Sequence, residues 1–462
     1  MRTLSRRGIE VVPAWAWAVA AIAAGPVLVV WATTNGSLLL LAAAAIGVAG
    51  IVLTIAKPMS LLLIYVALIP IEAVVVLGDA ATLTRALGAG FFAGYVLGHL
   101  GRIRRDALPT LGAAFAGWAA LSSIWALNAD VTLTQVVTLG QLVLMTWVIA
   151  DFVSADTARI RPILWAYSGA ATLVAVGGLA DVLLAGGSFD RASAFEAQGP
   201  AHLAAVLLPA FFFILFESLR RGGPNRLWLP LLIITLAVLL SGTRSAWLAV
   251  TLTFLIAVVP RLGRRTTLPA LLLGLILVAV AQVPEVGAFF DDRLSTALET
   301  GGAGRVDIWS VGLGIFAGNP IIGVGYENFP VAFTPEIIRG TEVPGLNLGI
   351  LIPGLAPHSI VVGTLAELGV VGAMLLAGFL GTLILRPVPR EWARPLKAML
   401  VAILIQALFL DLLGRKQLWL IIALIIGAGL AEADQRRQRR DGELVDHERV
   451  VARLRQTWAV ER

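Results

Sequence analysis

The chain has 462 residues, 58% of them hydrophobic and only 14% charged. Soluble domains are about a quarter charged, so this composition and a mean hydropathy of +0.88 exclude an ordinary soluble protein. With no cysteine there are no disulfides, thiol nucleophiles or cysteine-ligated metals, and the net charge of +6 lies in short loops between apolar runs, not on a nucleic-acid-binding face.

The opening stretch MRTLSRRGIEVVPAWAWAVA lacks a small-residue cleavage site ahead of a polar region, and reads as leading into a retained first span. Apolar runs lie at 12–33, 38–56, 59–78, 84–100, 110–127, 132–153, 162–185 and 201–219. Further runs follow at 227–242, 245–260, 268–283, 358–385, 398–413 and 416–432. Many approach the roughly 20 residues that cross a bilayer. They predict an all-α, polytopic integral membrane protein with about 12–14 transmembrane helices, the lower number if short pairs are re-entrant.

If every run crosses, the basic loops RTLSRR, GRIRRD, DTARIRP, RRGGPNR, RLGRR, RPVPREWARPLK and QRRQRR fall on one side. The positive-inside rule makes that side cytoplasmic, and both termini with it. The other side carries short connections and one long excursion, 284–357, with an amphipathic helix expected around Val306–Ala317. The chain thus divides into N-terminal transmembrane helices (1–185), a second transmembrane region including the long outer loop (186–432), and a C-terminal cytoplasmic tail or surface helix (433–462).

Against that topology the informative residues are basic ones on the outer side: Arg85, Arg191, Arg244, Arg293, Arg305, Arg339, Arg415, Lys416 and His358. Arg244 lies in a tight turn, LLSGTRSAW, between two apolar runs. Arg191 and Arg305 each follow a glycine-containing loop ahead of a helical segment. Each alone reads equally as an arginine snorkelling to headgroups. Grouped at one membrane face, they suit bidentate grip on a phosphate or pyrophosphate, with helix N-termini adding donors.

His358 opens an apolar run, in APHSIVVG. Either it caps the helix, or the helix dipole and nearby arginines keep its imidazole neutral, ready to accept a proton from a hydroxyl. His202, in QGPAHLAAV, lies on the same face and is an accessory candidate. Asp307 and Glu327 are candidates to orient His358 or an acceptor. Glu367 falls nine positions after His358, on the opposite helical face, and reads as packed within the bundle. No His/Asp/Glu spacing makes a convincing metal cage.

Four stretches, in order, resemble the O-antigen ligase and polymerase superfamily of bacterial envelope enzymes. RASAFEAQGPAHLAAVLLP is similar to its Arg-containing loop entering a span, and LLSGTRSAWLAV to its Ser-x-Ser/Thr-Arg-x-Ala turn. GRVDIWSVGLGIFAGNPIIGVGYENF is similar to its Arg-led segment ending in Gly-x-Gly-x-x-x-Phe. PHSIVVGTLAELGVVG is similar to its His-Asn…Glu-x-Gly-x-x-Gly segment, with Ser359 where asparagine is usual. The resemblance covers roughly 185–375. It implies an architecture similar to the membrane-embedded GT-C class with one long periplasmic loop. It also implies metal-independent, cofactor-free transfer of a glycan from an undecaprenyl-diphosphate carrier, on the outer face of the inner membrane. The acceptor would be a glycan, lipid or protein hydroxyl. By motif, Arg191, Arg244 and Arg305 would hold the pyrophosphate and His358 would be the base. The competing reading is a transporter or flippase of a lipid-linked or anionic substrate, which would place its charges near the bilayer midplane.

Overall fold

The computed structural model describes residues 38–72, 83–99, 103–184, 192–193, 199–220, 225–257, 295, 305–339 and 354–460. Among them are fourteen α-helices and no strand. In chain order they are α1 (Leu38–Ala56), α2 (Pro58–Leu68), α3 (Leu83–Gly98), α4 (Thr110–Leu121), α5 (Ala129–Ser154), α6 (Ile160–Leu184) and α7 (Pro200–Leu219). Then follow α8 (Trp228–Leu240), α9 (Arg244–Ala257), α10 (Arg305–Gly318), α11 (Phe329–Arg339), α12 (Ile360–Leu385), α13 (Arg390–Ala407) and α14 (Lys416–Val460). Among the described residues five helices are long and apolar enough to cross a membrane, and six shorter apolar ones accompany them. The protein is an all-α, polytopic membrane protein. The expected runs 12–33 and 268–283 lie outside the described residues.

Helix starts follow local chemistry. Asn128 opens α5, its side chain accepting from the Asp130 and Val131 amides. Ser359 caps α12 through Val362 N, and Pro58 and Pro200 occupy first-turn positions that need no amide donor. Inside lipid, helices associate through close packing more than by expelling water. Gly90 of α3 shows this, because a Cβ there would meet the Gly47 carbonyl oxygen of α1 at 2.5 Å.

Contacts sort the helix ends into two groups. At one end Arg104 pairs with Asp434 and, at 2.7 Å, with Asp106, while Arg161 reaches Glu217 at 3.5 Å and also pairs with Glu391. This end gathers Arg104, Arg161 and Arg220 from three of the basic loops. At the other end Asn128 N donates to Asn328 Oδ1 at 2.7 Å and Gln406 Nε2 to the Ala201 carbonyl at 3.0 Å. There Asn128, just ahead of α5, meets the segment joining α10 to α11, and the start of α7 meets the end of α13.

Part of the expected long loop is built into the bundle. α10 covers the expected helix, burying Ile308, Val311 and Ile315 along one side. Its other side exposes Val306 and Leu313, so the polar face of an amphipathic helix is largely missing. Beyond α10, residues 319–328 dock on α12, whose ladder breaks at Gly369 (φ 65°, ψ −168°). The groups freed by the break are recaptured. Val324 N donates to the Ala366 carbonyl at 3.1 Å, Gly325 N to that of Glu367 at 2.9 Å, and Val370 N to that of Pro320 at 2.9 Å. Both chains approach so closely that a Cβ at Gly323 would meet Glu367 C at 2.2 Å, and one at Gly369 would meet Ile321 O at 2.2 Å. The C-terminal segment, expected as a tail or surface helix, continues α14 as helix to Val460.

Candidate active site

The end of the bundle away from the basic loops collects the charged residues that the topology singled out. Arg244 is the first residue of α9. It is presented by the turn Ser241–Gly242–Thr243, in which Gly242 supplies a φ of 62°. Ser241 Oγ donates to the Val238 carbonyl at 2.7 Å and accepts from Thr243 N at 3.3 Å, which fixes the turn. Arg305 is likewise the first residue of α10 and is near enough to Arg244 for the two cations to repel. Two half-buried guanidinium groups held together favour an anion between them.

His358 stands immediately before the Ser359 cap of α12, with a left-handed φ of 47°. Left-handed backbone is uncommon for residues other than glycine and clusters at functional sites. Burial first, and the Arg305 charge second, hold its imidazole below the ordinary histidine value, with Asp411 opposing. It is therefore neutral at pH 7.

Asp411 lies in the α13–α14 connection and accepts from Leu413 N at 3.1 Å. Burial raises its pKa, while Arg415 and His358 lower it. Glu327 is the other non-glycine residue with positive φ, at 59°. Burial and the Asp411 charge push its pKa up to about 7 against the pull of Arg415. Glu367, 5% exposed, accepts from Phe329 N at 3.2 Å just ahead of the helix break. Arg415 Nη2 lies 3.2 Å from His202 Nε2. An arginine can only donate, so His202 Nε2 accepts and its Nδ1 carries the proton. That Nδ1 is buried with no partner within the described chain.

The structure thus brings together Arg244, Arg305, His358, Glu327 and His202. Arg305, Asp411 and His202 are all near enough to His358 to interact with it electrostatically. Asp307 sits in the first turn of α10 beside Arg305, and no recorded interaction ties it to His358. Arg191 lies outside the described residues. Its described neighbour Ala192 donates to the Leu240 carbonyl at 2.9 Å, at the turn that carries Arg244.

Sequence reasoning passed over Asp411 and gave Arg415 no role. The signal was present in DLLGRK, an acid and two bases between two apolar runs. Glu367 packs in the bundle as its spacing implied, and it meets Glu327 and Asp411 electrostatically, not His358. Among the described residues no three His, Cys, Asp or Glu side chains are placed to hold a metal ion.

Residues 229–377 match the family model described as O-antigen ligase. Over this segment the chain is similar to that family. The matched segment contains Arg244, Arg305, Glu327, His358 and Glu367, whereas His202, Asp411 and Arg415 fall outside it. A comparison with curated proteins finds no match.

Proposed function

We propose that the protein is a membrane glycosyltransferase that moves a glycan from an undecaprenyl-diphosphate carrier to an acceptor hydroxyl. It works at the outer face of the bacterial inner membrane, with both termini in the cytoplasm. The observation that carries this reading is the neutral His358 beside the Arg305–Arg244 pair, in a segment that matches the O-antigen ligase family.

In this mechanism the acceptor hydroxyl attacks the anomeric carbon as its proton passes to His358. The carbon–oxygen bond to the diphosphate breaks, and the leaving group departs with the bonding pair. Arg244 and Arg305, with Arg191 by its motif, bind the diphosphate and stabilise the charge that grows on it. Those cations make a metal unnecessary for departure. Asp411 stabilises the imidazolium that forms, in a positioning role. One displacement inverts the anomeric centre. A transporter would carry these charges at the bilayer midplane, and their place at helix starts on one end favours the enzyme.

The test is glycan transfer by wild type and His358→Ala in membranes, with undecaprenyl diphosphate binding followed in parallel. Transfer should fall by roughly 10²–10⁴-fold, the usual contribution of a general base, with binding retained. Undiminished transfer would remove His358 from the chemistry.

A further inference from the structure

An apolar cleft in the described residues has no part in the mechanism above. It encloses about 640 Å³ between α2, α3, α5, α7 and the start of α14, within the range of roughly 300–1,000 Å³ for ligand pockets. Its walls change character along its length. At the active-site end stand Arg85, Arg415, Lys416 and Glu72, with Lys416 paired to Glu72. Three cations and one carboxylate line that mouth. Deeper in, the lining becomes Tyr65, Phe92, Val96, Leu142 and Trp147. Trp147 donates to the Arg104 carbonyl at 2.8 Å, so the cleft reaches toward the basic end of the bundle. From Arg85 to Val96 along α3 is eleven residues, about 16 Å of helix.

A slot parallel to membrane helices, cationic at one interface and apolar below, has the shape and polarity of a phosphorylated lipid. We infer that this cleft is a second lipid site, separate from the Arg244–Arg305 pair. Its headgroup phosphate would lie at Arg85, Arg415 and Lys416, and its role would be to present the acceptor. The inference rests on the proposed transfer reaction for that role only. Position supports it: His202 contacts Arg415 at 3.2 Å, lines the cleft and is near enough to His358 for their charges to interact. A base must adjoin the nucleophile, so the cleft side is the acceptor side.

The test uses full-length protein in nanodiscs, with phosphatidic acid as the probe for the cleft and undecaprenyl diphosphate as the probe for the Arg244–Arg305 pair. Retention of each is read by native mass spectrometry. Arg85→Gln removes a headgroup contact, and Ala93→Phe fills the cleft from α3. Each should cut phosphatidic acid retention about tenfold and leave undecaprenyl diphosphate retention within twofold, whereas Arg244→Gln should do the reverse. Transfer in membranes should fall in both cleft variants. Equal phosphatidic acid retention in wild type and both cleft variants would overturn the site. Loss of both lipids in Arg244→Gln would collapse the two sites into one and overturn it as well. Undiminished transfer after loss of phosphatidic acid would overturn the acceptor role. Because retention does not depend on catalysis, these outcomes are independent of whether His358 is the base.

Discussion

Replacing Gly369 by alanine isolates the contact between the docked segment and the broken helix. Gly369 has φ 65° and ψ −168°, a region open almost only to glycine, which costs another residue about 1–3 kcal/mol. The added Cβ would meet Ile321 O at 2.2 Å, Ile321 C at 2.3 Å and Ile322 N at 2.6 Å, all backbone atoms with no rotamer to relieve them. The segment must retreat, which sacrifices Val370 N to Pro320 O at 2.9 Å and Val371 N to Ile321 O at 3.4 Å. At about 1 kcal/mol for each bond, the local cost is roughly 3–5 kcal/mol. A factor of ten corresponds to about 1.4 kcal/mol, so amide exchange at Val324, Gly325 and Val370 should quicken by about 10²–10⁴-fold. Hydrogen exchange read by mass spectrometry on Gly369→Ala measures this. Gly381→Ala in the same helix is the control, because nothing lies within 4 Å of its added Cβ. Equal exchange in the two variants would refute the claim that the close approach is what holds the segment.

Other perturbations read out the cluster itself. Transfer should rise with pH through a limb centred below 6.5, because the neutral imidazole is the active form and burial with Arg305 depresses its pKa. Asp411→Asn removes the charge favouring imidazolium, so a pH–rate profile should show that limb moved lower still, with a reduced maximum. Arg305→Gln should weaken undecaprenyl diphosphate binding about 10–100-fold, as loss of a charge-assisted contact does, and return the His358 limb toward 6.5. Asn328→Ala should lower the thermal midpoint by the equivalent of about 2–4 kcal/mol. The buried Asn328 side chain accepts from Asn128 N at 2.7 Å and donates to Thr132 Oγ1 at 2.7 Å, groups that would lose their partner.

How much of this was legible depends on range. Apolar run length marks a span by itself, so α5, α6, α7 and α12 could be read within a few residues, and basic loops gave their parity. Arg244, Arg305 and His358 were legible because a basic residue at a helix start on the side expected to be outer breaks a simple rule. Asp411 broke no rule, since an acid in an outer loop is ordinary. Its significance comes from lying near His358 across 53 positions of chain, a relation that no local pattern encodes. Glu367 was placed on the wrong face for His358 by uninterrupted helical geometry. Its burial in the bundle holds, but His358 lies ahead of α12 with a left-handed φ of 47°, so no helical face relates the two residues, and the break at Gly369 gives Glu367 its surroundings. The glycines of GVGYENF and ELGVVG were visible as a motif, but their purpose, two backbones in contact, needed both partners in view.

The interlock also bears on how charge is tolerated here. Irregular backbone at membrane depth survives only where protein satisfies its polar groups, so α12 can break at Gly369 only while residues 319–325 cover the break. The same segment carries Glu327 two residues beyond Gly325, and α10 ahead of it carries Arg305. His358, Asp411 and Arg415 belong instead to helix starts and connections of the bundle. Docking of the segment therefore accompanies the approach of Arg305 to the histidine and of Glu327 to Asp411 and Arg415, and the hydrogen bonds that stabilise the broken helix also help to assemble the site. It follows that Gly323 and Gly369, neither of which bears a functional group, govern the geometry around His358 as directly as the charged residues do. A bundle of unbroken helices would present Arg244, His358 and Asp411 without the second guanidinium that lowers the imidazole pKa.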